Sequence, residues 1–317
     1  MIECVFLDKI TSEMQTAMEN ERPAGVHLSF FSEVPDCEKE KYLQRADAFL
    51  TATYKVDKSL MEKAVNVKIV QKMGVGIDNI DAVAASSLGI IVKNVPGGNA
   101  NGVAELTMGL IIDVYRRITS LDKMSRKGEW GMWTYRSSSY EIKGKKHGII
   151  GFGHVGKRVA ELSHAFGTEL LYYNRTQMNE NVEKQYGIKY VSLEGLLQAA
   201  DIVSIHLPFT VETKDFISKR EMDMMKHDAV LINVGRGGVV NEKALYEVLL
   251  KGKLLGAGID VWEKEPLQSQ NPLLQLDNIV ATPHIGGGTV DAAQNILRSC
   301  FQNILRTCKQ DKIDTVC

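Results

Sequence analysis

One segment constrains this chain more than any other. From His147 to Gly156 it reads HGIIGFGHVG, a short apolar run feeding G-x-G-x-x-G, and Lys157 to Phe166 then carries a helical pattern. Each glycine has its own physical role. Gly151 permits a tight turn, Gly153 lets backbone approach a pyrophosphate at the positive end of a helix, and Gly156 allows helix to pack closely on strand. His154 and Val155 fill the positions between, at the start of the helix. A bare glycine fingerprint is as often an ordinary turn. Strand before, helix after and a second strand on schedule make this one a dinucleotide-binding candidate.

The rest of the chain agrees with that unit. Short β-branched runs alternate with amphipathic segments through most of the 317 residues, the pattern of β-α-β units and parallel sheets covered on both faces. Strands are expected at Glu3–Leu7, Val26–Phe31, Ala48–Thr51, Val67–Gln71 and Ile90–Asn94, and again at Lys146–Ile150, Glu169–Asn174, Asp201–His206, Ala229–Val234, Leu255–Asp260 and Asn278–Thr282. Between the sets lies one long helical pattern, about Asn101 to Lys127, and a polar stretch, Arg136 to Lys146. A last helix, roughly Thr289 to Thr307, follows the glycine-rich Pro283 to Gly288 and is expected to pack back on the first domain. The reading is two α/β domains, 1–99 with 286–317, and 100–285. About ten polar residues follow that helix, so no appended regulatory domain is expected.

Composition excludes several classes. Lys plus Arg is 38 and Asp plus Glu is 39, so no overall field draws in nucleic acid or anionic lipid. The five cysteines, Cys4, Cys37, Cys300, Cys308 and Cys317, are scattered without a C-x-x-C pair, which suits reduced thiols and no metal. Met1 to Asp8 carries Glu3 and Asp8, unlike a secretory signal, and Leu106 to Tyr115 is cut by Asp113, well short of the roughly 18 apolar residues of a membrane span. A cytoplasmic protein with no membrane or nucleic-acid partner is expected.

Chemistry concentrates where strands of the second set end. Arg236 sits in Asn233-Val234-Gly235-Arg236-Gly237-Gly238, Glu265 in Asp260 through Pro266, and His284 in Thr282-Pro283-His284-Ile285-Gly286-Gly287. In an open α/β sheet ligands bind outside the carboxyl ends of the strands. Delivering hydride to a 2-keto acid needs a proton donor for the carbonyl oxygen, a cation to polarise it and hold the carboxylate, and a carboxylate to orient the donor. His284, Arg236 and Glu265 meet those needs together, although each alone has a structural reading. At the end of the strand after the fingerprint, where an acid would normally bind the adenine ribose, stands Asn174-Arg175-Thr176. Without the acid's repulsion, Arg175 and Thr176 suit a 2′-phosphate, and neutral Asn174 still suits a ribose hydroxyl, so both NADPH and NADH are expected. The alternative is a solvated Arg175 and NADH alone.

In these segments the chain resembles the D-isomer-specific 2-hydroxyacid dehydrogenase family, which includes phosphoglycerate, glycerate, hydroxypyruvate and D-lactate dehydrogenases. The likeness runs from about Val67 to Asn303 and is weaker before it. It implies a Rossmann dinucleotide-binding domain beside a smaller flavodoxin-like substrate domain, both doubly wound, and a homodimer, with Trp130 and Trp133 either at its interface or in ordinary core or surface packing. It implies Arg236 as substrate binder, Glu265 as partner of His284, and His284 as acid/base. The loop Lys72 to Asp81 resembles the family's carboxylate-binding loop, Gly74, Val75 and Gly76 being its substrate-binding candidates with the backbone amides of Val75 and Gly76 facing the carboxylate, and Tyr54 is a candidate for the side-chain pocket. Asp260 would accept from the nicotinamide carboxamide, while His206, Pro208 and Val234 would line the cofactor. Met73 departs from relatives with a small or basic residue there, so no dedicated phosphate contact is expected. Glu265 separates the chain from the formate-dehydrogenase branch, which has Gln beside its His. The implied reaction is reduction of a small 2-keto acid to the D-2-hydroxy acid, pyruvate to D-lactate first, glyoxylate and hydroxypyruvate next. A nicotinamide-sensing corepressor of the same fold is the rival reading.

Overall fold

The apolar runs become parallel strands buried on alternate faces. A computed structural model describes residues 1–310 and divides the chain into two units, Met1–Asn99 with the segment from Val290, and Ala100–Thr289. Cys317 lies outside the described residues. The first unit holds strands β1 (Ile2–Phe6), β2 (Val26–Phe30), β3 (Ala48–Thr51), β4 (Ile69–Lys72) and β5 (Ile91–Lys93). Its helices are α1 (Ser12–Glu21), α2 (Lys39–Arg45), α3 (Lys58–Lys63), α4 (Ala82–Ser87) and, late in the chain, α12 (Val290–Gln310). The strands pair in parallel in the order β2-β1-β3-β4-β5, the flavodoxin-like arrangement.

Strand β1 shows how the two faces are covered. Cys4 and Phe6 point into one cluster with Leu297, Cys300, Phe301 and Ile304 of α12, while Val5 points into the other with Leu43, Met61 and Ala85 of α2, α3 and α4. Each large apolar side chain that α12 buries contributes roughly 2 kcal/mol, which holds a helix from the end of the chain in the unit formed by its beginning. Cys4, Cys37 and Cys300 are free thiols, and burial pushes the Cys300 thiol up to about 12.

The second unit contains α5 (Ala100–Arg116), α6 (Ile118–Arg126), β6 (Lys146–Ile150), α7 (His154–Ala165), β7 (Glu169–Tyr173), α8 (Glu180–Tyr186), β8 (Ile188–Tyr190), α9 (Leu193–Ala199) and β9 (Ile202–Ile205). It continues with α10 (Lys219–Met224), β10 (Val230–Asn233), α11 (Glu242–Leu250), β11 (Gly256–Ile259) and β12 (Ile279–Ala281). All seven strands are parallel in the order β12-β11-β10-β9-β6-β7-β8. Ile202, Val230 and Ile232 pack against α5, whereas Val203, Ile205, Leu231, Ala257 and Ile259 pack on the face covered by α9, α10 and α11.

Three features differ from expectation. The long helix from Asn101 to Lys127 is two helices, broken at Arg117, which adopts φ 54°. The Asp113 carboxylate causes the break by accepting from the Thr119 amide at 2.9 Å and from the Thr119 hydroxyl, so the chain restarts where a polar cap is available. Strand β8 escaped notice because its three residues, IKY, pair only with β7 at the sheet edge. The chain returns to the first unit at Val290 and not at Gly286. The amides of Ile285 and Gly286 both donate to Asp260 at 2.9 Å, which ties this turn to the second unit.

Candidate active site

The strand order of the second unit reverses at β6, whose neighbours are β7 on one side and β9 on the other. Loops leaving the neighbouring strands diverge there and open a crevice. The glycine fingerprint lies at that point. Gly151 adopts φ +95°, a Cβ on Gly156 would sit 2.3 Å from the Gly151 carbonyl oxygen, and nothing lies within 4 Å of a Cβ built on Gly153. The first and third glycines are therefore required by the turn and the packing, and the second leaves open space at the N-terminus of α7, where His154 and Val155 begin the helix. This cradle fits a dinucleotide pyrophosphate.

Beside it, the Asn174 side-chain carbonyl accepts from the Phe152 amide at 2.7 Å, pinning the fingerprint loop to the end of β7. This contact occupies the side-chain oxygen of Asn174 and not its amide nitrogen. Arg175 and Thr176 are exposed. The Glu212 carboxyl is held below the usual range first by the Thr210 hydroxyl and also by the charge of Arg175. Pro208 is exposed and its carbonyl accepts from the Thr213 hydroxyl at 2.7 Å, while Val234 is buried at the end of β10. His206 follows β9 with its Nε2 2.8 Å from the Ser204 hydroxyl.

A carboxylate–imidazole pair forms in the second unit from residues 19 positions apart. His284 Nδ1 lies 2.8 Å from Glu265 Oε2, and Glu265 Oε1 accepts from the Trp262 amide at 3.0 Å, so both oxygens of the carboxylate are held. His284 itself has φ 55°. That left-handed backbone is imposed by Asp260, which is 1% exposed. The Asp260 carbonyl accepts from the His284 amide at 2.8 Å, and its carboxylate accepts from the Thr282 hydroxyl at 2.6 Å as well as from Ile285 and Gly286. Asp260 thus spends its side chain on the turn that presents the imidazole, a use the sequence reading did not anticipate.

Arg236 reaches the same edge by a different device. Asn233 at the end of β10 clasps its loop, accepting from the Gly235 amide at 3.1 Å and donating to the Arg236 carbonyl at 3.2 Å. The Arg236 guanidinium donates to the Gly235 carbonyl at 2.8 Å. A Cβ on Gly237 would fall 1.8 Å from the Trp262 carbonyl oxygen, so the loop bearing Arg236 lies directly on the backbone leading to Glu265.

In the first unit, Gly74 adopts φ +130° and its carbonyl accepts from the Val95 amide at 2.9 Å, while Asn94 donates to the Val75 carbonyl at 2.5 Å. With the carbonyls turned inward, the amides of Val75 and Gly76 find no acceptor among the described residues. Tyr54 is part-exposed, with its ring edge-on to Phe31 at 6.2 Å between centroids. Asp8 fastens this strand-end loop: its carboxylate accepts from the amides of Ala52, Thr53 and Tyr54. Burial works to raise that carboxyl, but these amides and the Thr53 hydroxyl outweigh it and hold it below its ordinary value. Sequence reasoning missed Asp8, whose only signal was a carboxylate directly after an apolar strand. Lys72 donates to the Ala52 carbonyl and, at 2.6 Å, to Asn79, and Met73 packs against the core. Among the described residues no cluster of three or more His, Cys, Asp or Glu side chains is placed to hold a metal, and no helix is long and apolar enough to cross a membrane.

Comparison with known proteins agrees with this geometry. The family model described as D-isomer specific 2-hydroxyacid dehydrogenase, NAD binding domain, matches residues 108–286. A glyoxylate reductase of Thermococcus litoralis is 40% identical over 260 residues, covering 80% of this chain and 78% of that protein. A hydroxypyruvate reductase of Thermotoga maritima is 38% identical over 244 residues, covering 76% and 78%. The crystal structure of D-lactate dehydrogenase from Aquifex aeolicus complexed with NAD and lactic acid superposes with a TM-score of 0.80 at 28% identity, covering 98% of this chain and 97% of that one. Fold, glycine cradle and the Glu265 and His284 pair thus meet in one assignment: the chain belongs to the D-isomer-specific 2-hydroxyacid dehydrogenase family of nicotinamide-dependent oxidoreductases.

Proposed function

We propose that the protein reduces glyoxylate and hydroxypyruvate, to glycolate and D-glycerate, with pyruvate to D-lactate as a weaker activity. The sequence alone put pyruvate first; the relatives named glyoxylate and hydroxypyruvate reductase support the other order. The observation that carries the chemistry is the 2.8 Å contact between His284 Nδ1 and Glu265. With Nδ1–H donated to the carboxylate, the proton available for transfer sits on Nε2. A dihydronicotinamide dinucleotide held at the Gly151, Gly153 and Gly156 cradle would supply the hydride for the carbonyl carbon. His284 Nε2 gives its proton to the carbonyl oxygen in the same reduction and takes it back in oxidation. Arg236 polarises the carbonyl and binds the substrate carboxylate.

Asn174, Arg175 and Thr176 support use of NADPH as well as NADH. Helix α6 buries none of its residues, and Trp130 and Trp133 beyond it are 88% and 68% exposed, which supports a homodimer with this apolar surface covered by a second copy. The free thiols fit a cytoplasmic setting. Absorbance of NADH and NADPH is followed with glyoxylate, hydroxypyruvate and pyruvate, with chiral analysis of the product. Oxidation of neither cofactor by any of the three acids refutes the proposal, and an L product refutes its stereochemistry. Sedimentation equilibrium of the wild type and of Trp133→Ala tests the dimer, which fails if the wild type is a monomer.

A further inference from the structure

Beneath the fingerprint runs a buried chain of hydroxyls and imidazoles. Thr168 Oγ1 donates to the Ser163 carbonyl at 2.9 Å, and the Thr168 and Ser163 hydroxyls lie 2.8 Å apart. Ser163 Oγ is 2.8 Å from His147 Nδ1, His147 Nε2 is 2.8 Å from Ser204 Oγ, and Ser204 Oγ is 2.8 Å from His206 Nε2. His147, Ser163 and Ser204 are completely buried. His206 Nδ1, at the far end, is buried with no hydrogen-bond partner. The backbone of that residue borders the fingerprint turn: a Cβ on Gly151 would lie 3.0 Å from the His206 carbonyl.

With every one of these contacts taken as a hydrogen bond, counting protons from the Thr168 end gives a single assignment. A hydroxyl has one proton. That of Thr168 goes to a carbonyl, which only accepts, so Ser163 must donate to Thr168. Ser163 then has no proton for His147, and His147 donates from Nδ1. A neutral His147 accepts at Nε2, so Ser204 donates to it, and His206 must donate from Nε2 to Ser204. A neutral His206 is left with a bare lone pair on Nδ1. Both rings stay neutral because burial depresses each to about 3, with His147 adding to the effect on His206.

We propose that His206 presents Nδ1 as a fixed acceptor to a hydrogen-bond donor of the dinucleotide, a hydroxyl or an amide, and that Thr168, Ser163, His147 and Ser204 set this tautomer from a distance. The inference rests on the nicotinamide-dinucleotide reading of the site. It assigns the orphaned nitrogen a partner that phosphate cannot be, since phosphate oxygens at neutral pH only accept. It also makes Thr168, at the opposite end of the chain, a positioning residue for the cofactor wall.

Nitrogen-15 NMR of histidine-labelled protein without cofactor tests the count directly. The expected result is opposite tautomers, Nδ1–H in His147 and Nε2–H in His206; a proton on His206 Nδ1 overturns the proposal. Titration with NADH should then shift His206 Nδ1 selectively. The same shift with ADP-ribose identifies a donor on the adenosine or ribose side, and a shift that needs NADH identifies the carboxamide. Thr168→Val frees the Ser163 proton and should turn His206 into a mixture of tautomers while the fold, read by circular dichroism, is kept; an unmoved His206 signal in that variant overturns the relay. His206→Phe should weaken NADH binding about fivefold, the loss of one net hydrogen bond. Binding of NADH with His206 Nδ1 undisturbed sinks this inference and leaves the enzyme reading standing, whereas failure of both NADH and NADPH to bind sinks both.

Discussion

Gly237→Ala puts the assembly of the proposed catalytic edge to a quantitative test. The new methyl group would start 1.8 Å from the Trp262 carbonyl oxygen, 2.2 Å from its carbon and 2.8 Å from the Glu263 amide nitrogen, all backbone atoms. Ordinary contact begins at 3.4 Å, so the two segments must separate by about 1.6 Å. No rotamer change relieves this. The displacement falls between the loop carrying Arg236 and the segment carrying Glu265, which in turn holds His284. A shift of about 1 Å in a reacting geometry costs on the order of 100-fold in rate, and overpacking costs about 1–3 kcal/mol in stability. We expect kcat for keto-acid reduction to fall by about two decades, a lowered urea midpoint, and NADH binding by fluorescence largely retained. The matched control is Gly109→Ala in α5, where nothing lies within 4 Å of the new Cβ; it should keep full activity and gain up to about 1 kcal/mol of helix stability. If Gly237→Ala turns over within twofold of wild type, the close approach does not position the catalytic groups and the reasoning is wrong.

His284→Ala should lower kcat by roughly two or more decades with cofactor affinity unchanged, since general acid catalysis contributes about that much; near-normal turnover in stopped-flow assays removes the imidazole from the mechanism. Arg175→Ala should weaken NADPH far more than NADH, and Glu212→Gln, which removes the carboxylate influenced by Arg175, should tighten NADPH severalfold at low salt; equal effects on both cofactors in fluorescence titrations would exclude a 2′-phosphate role. Fully enclosed His147 ionises only near pH 3 in the folded protein and near 6.5 when unfolded. Below pH 6.5 the unfolded chain therefore binds a proton that the folded chain refuses, and stability falls with falling pH by about 1.4 kcal/mol per pH unit from this ring alone. Urea melts at pH 7, 6 and 5 measure that slope, and a flat profile contradicts a neutral buried His147.

The parts of this protein legible in its sequence are those where local chemistry leaves one choice. The turn at Gly151 and the packing at Gly156 admit no side chain, so the fingerprint can be read with no knowledge of the rest. Alternation of β-branched runs and amphipathic segments reports burial on both faces, and it located eleven strands to within a residue or two while passing over β8, whose edge position buries too little to leave a pattern. The break at Arg117 was invisible for the opposite reason: helical periodicity continues through it, and only the Asp113 carboxylate capturing Thr119 decides where the helix stops.

The candidate site divides in the same way. Arg236, Glu265 and His284 were recognisable because each follows a strand, and a parallel sheet delivers all its strand ends to one edge. What holds them there is long-range. Asp260 is a strand-end acid in the sequence; only the folded turn shows its carboxylate spent on Thr282, Ile285 and Gly286, forcing His284 into a left-handed backbone. His147 reads as one polar residue in an apolar strand, and its significance depends on Ser163 and Ser204, 16 and 57 positions away, closing around it. Sequence determined which groups reach the edge, because strand direction and glycine sterics are local. Tertiary structure alone decided which atoms of those groups are already satisfied, because hydrogen bonds are completed by partners that only folding brings within about 3 Å.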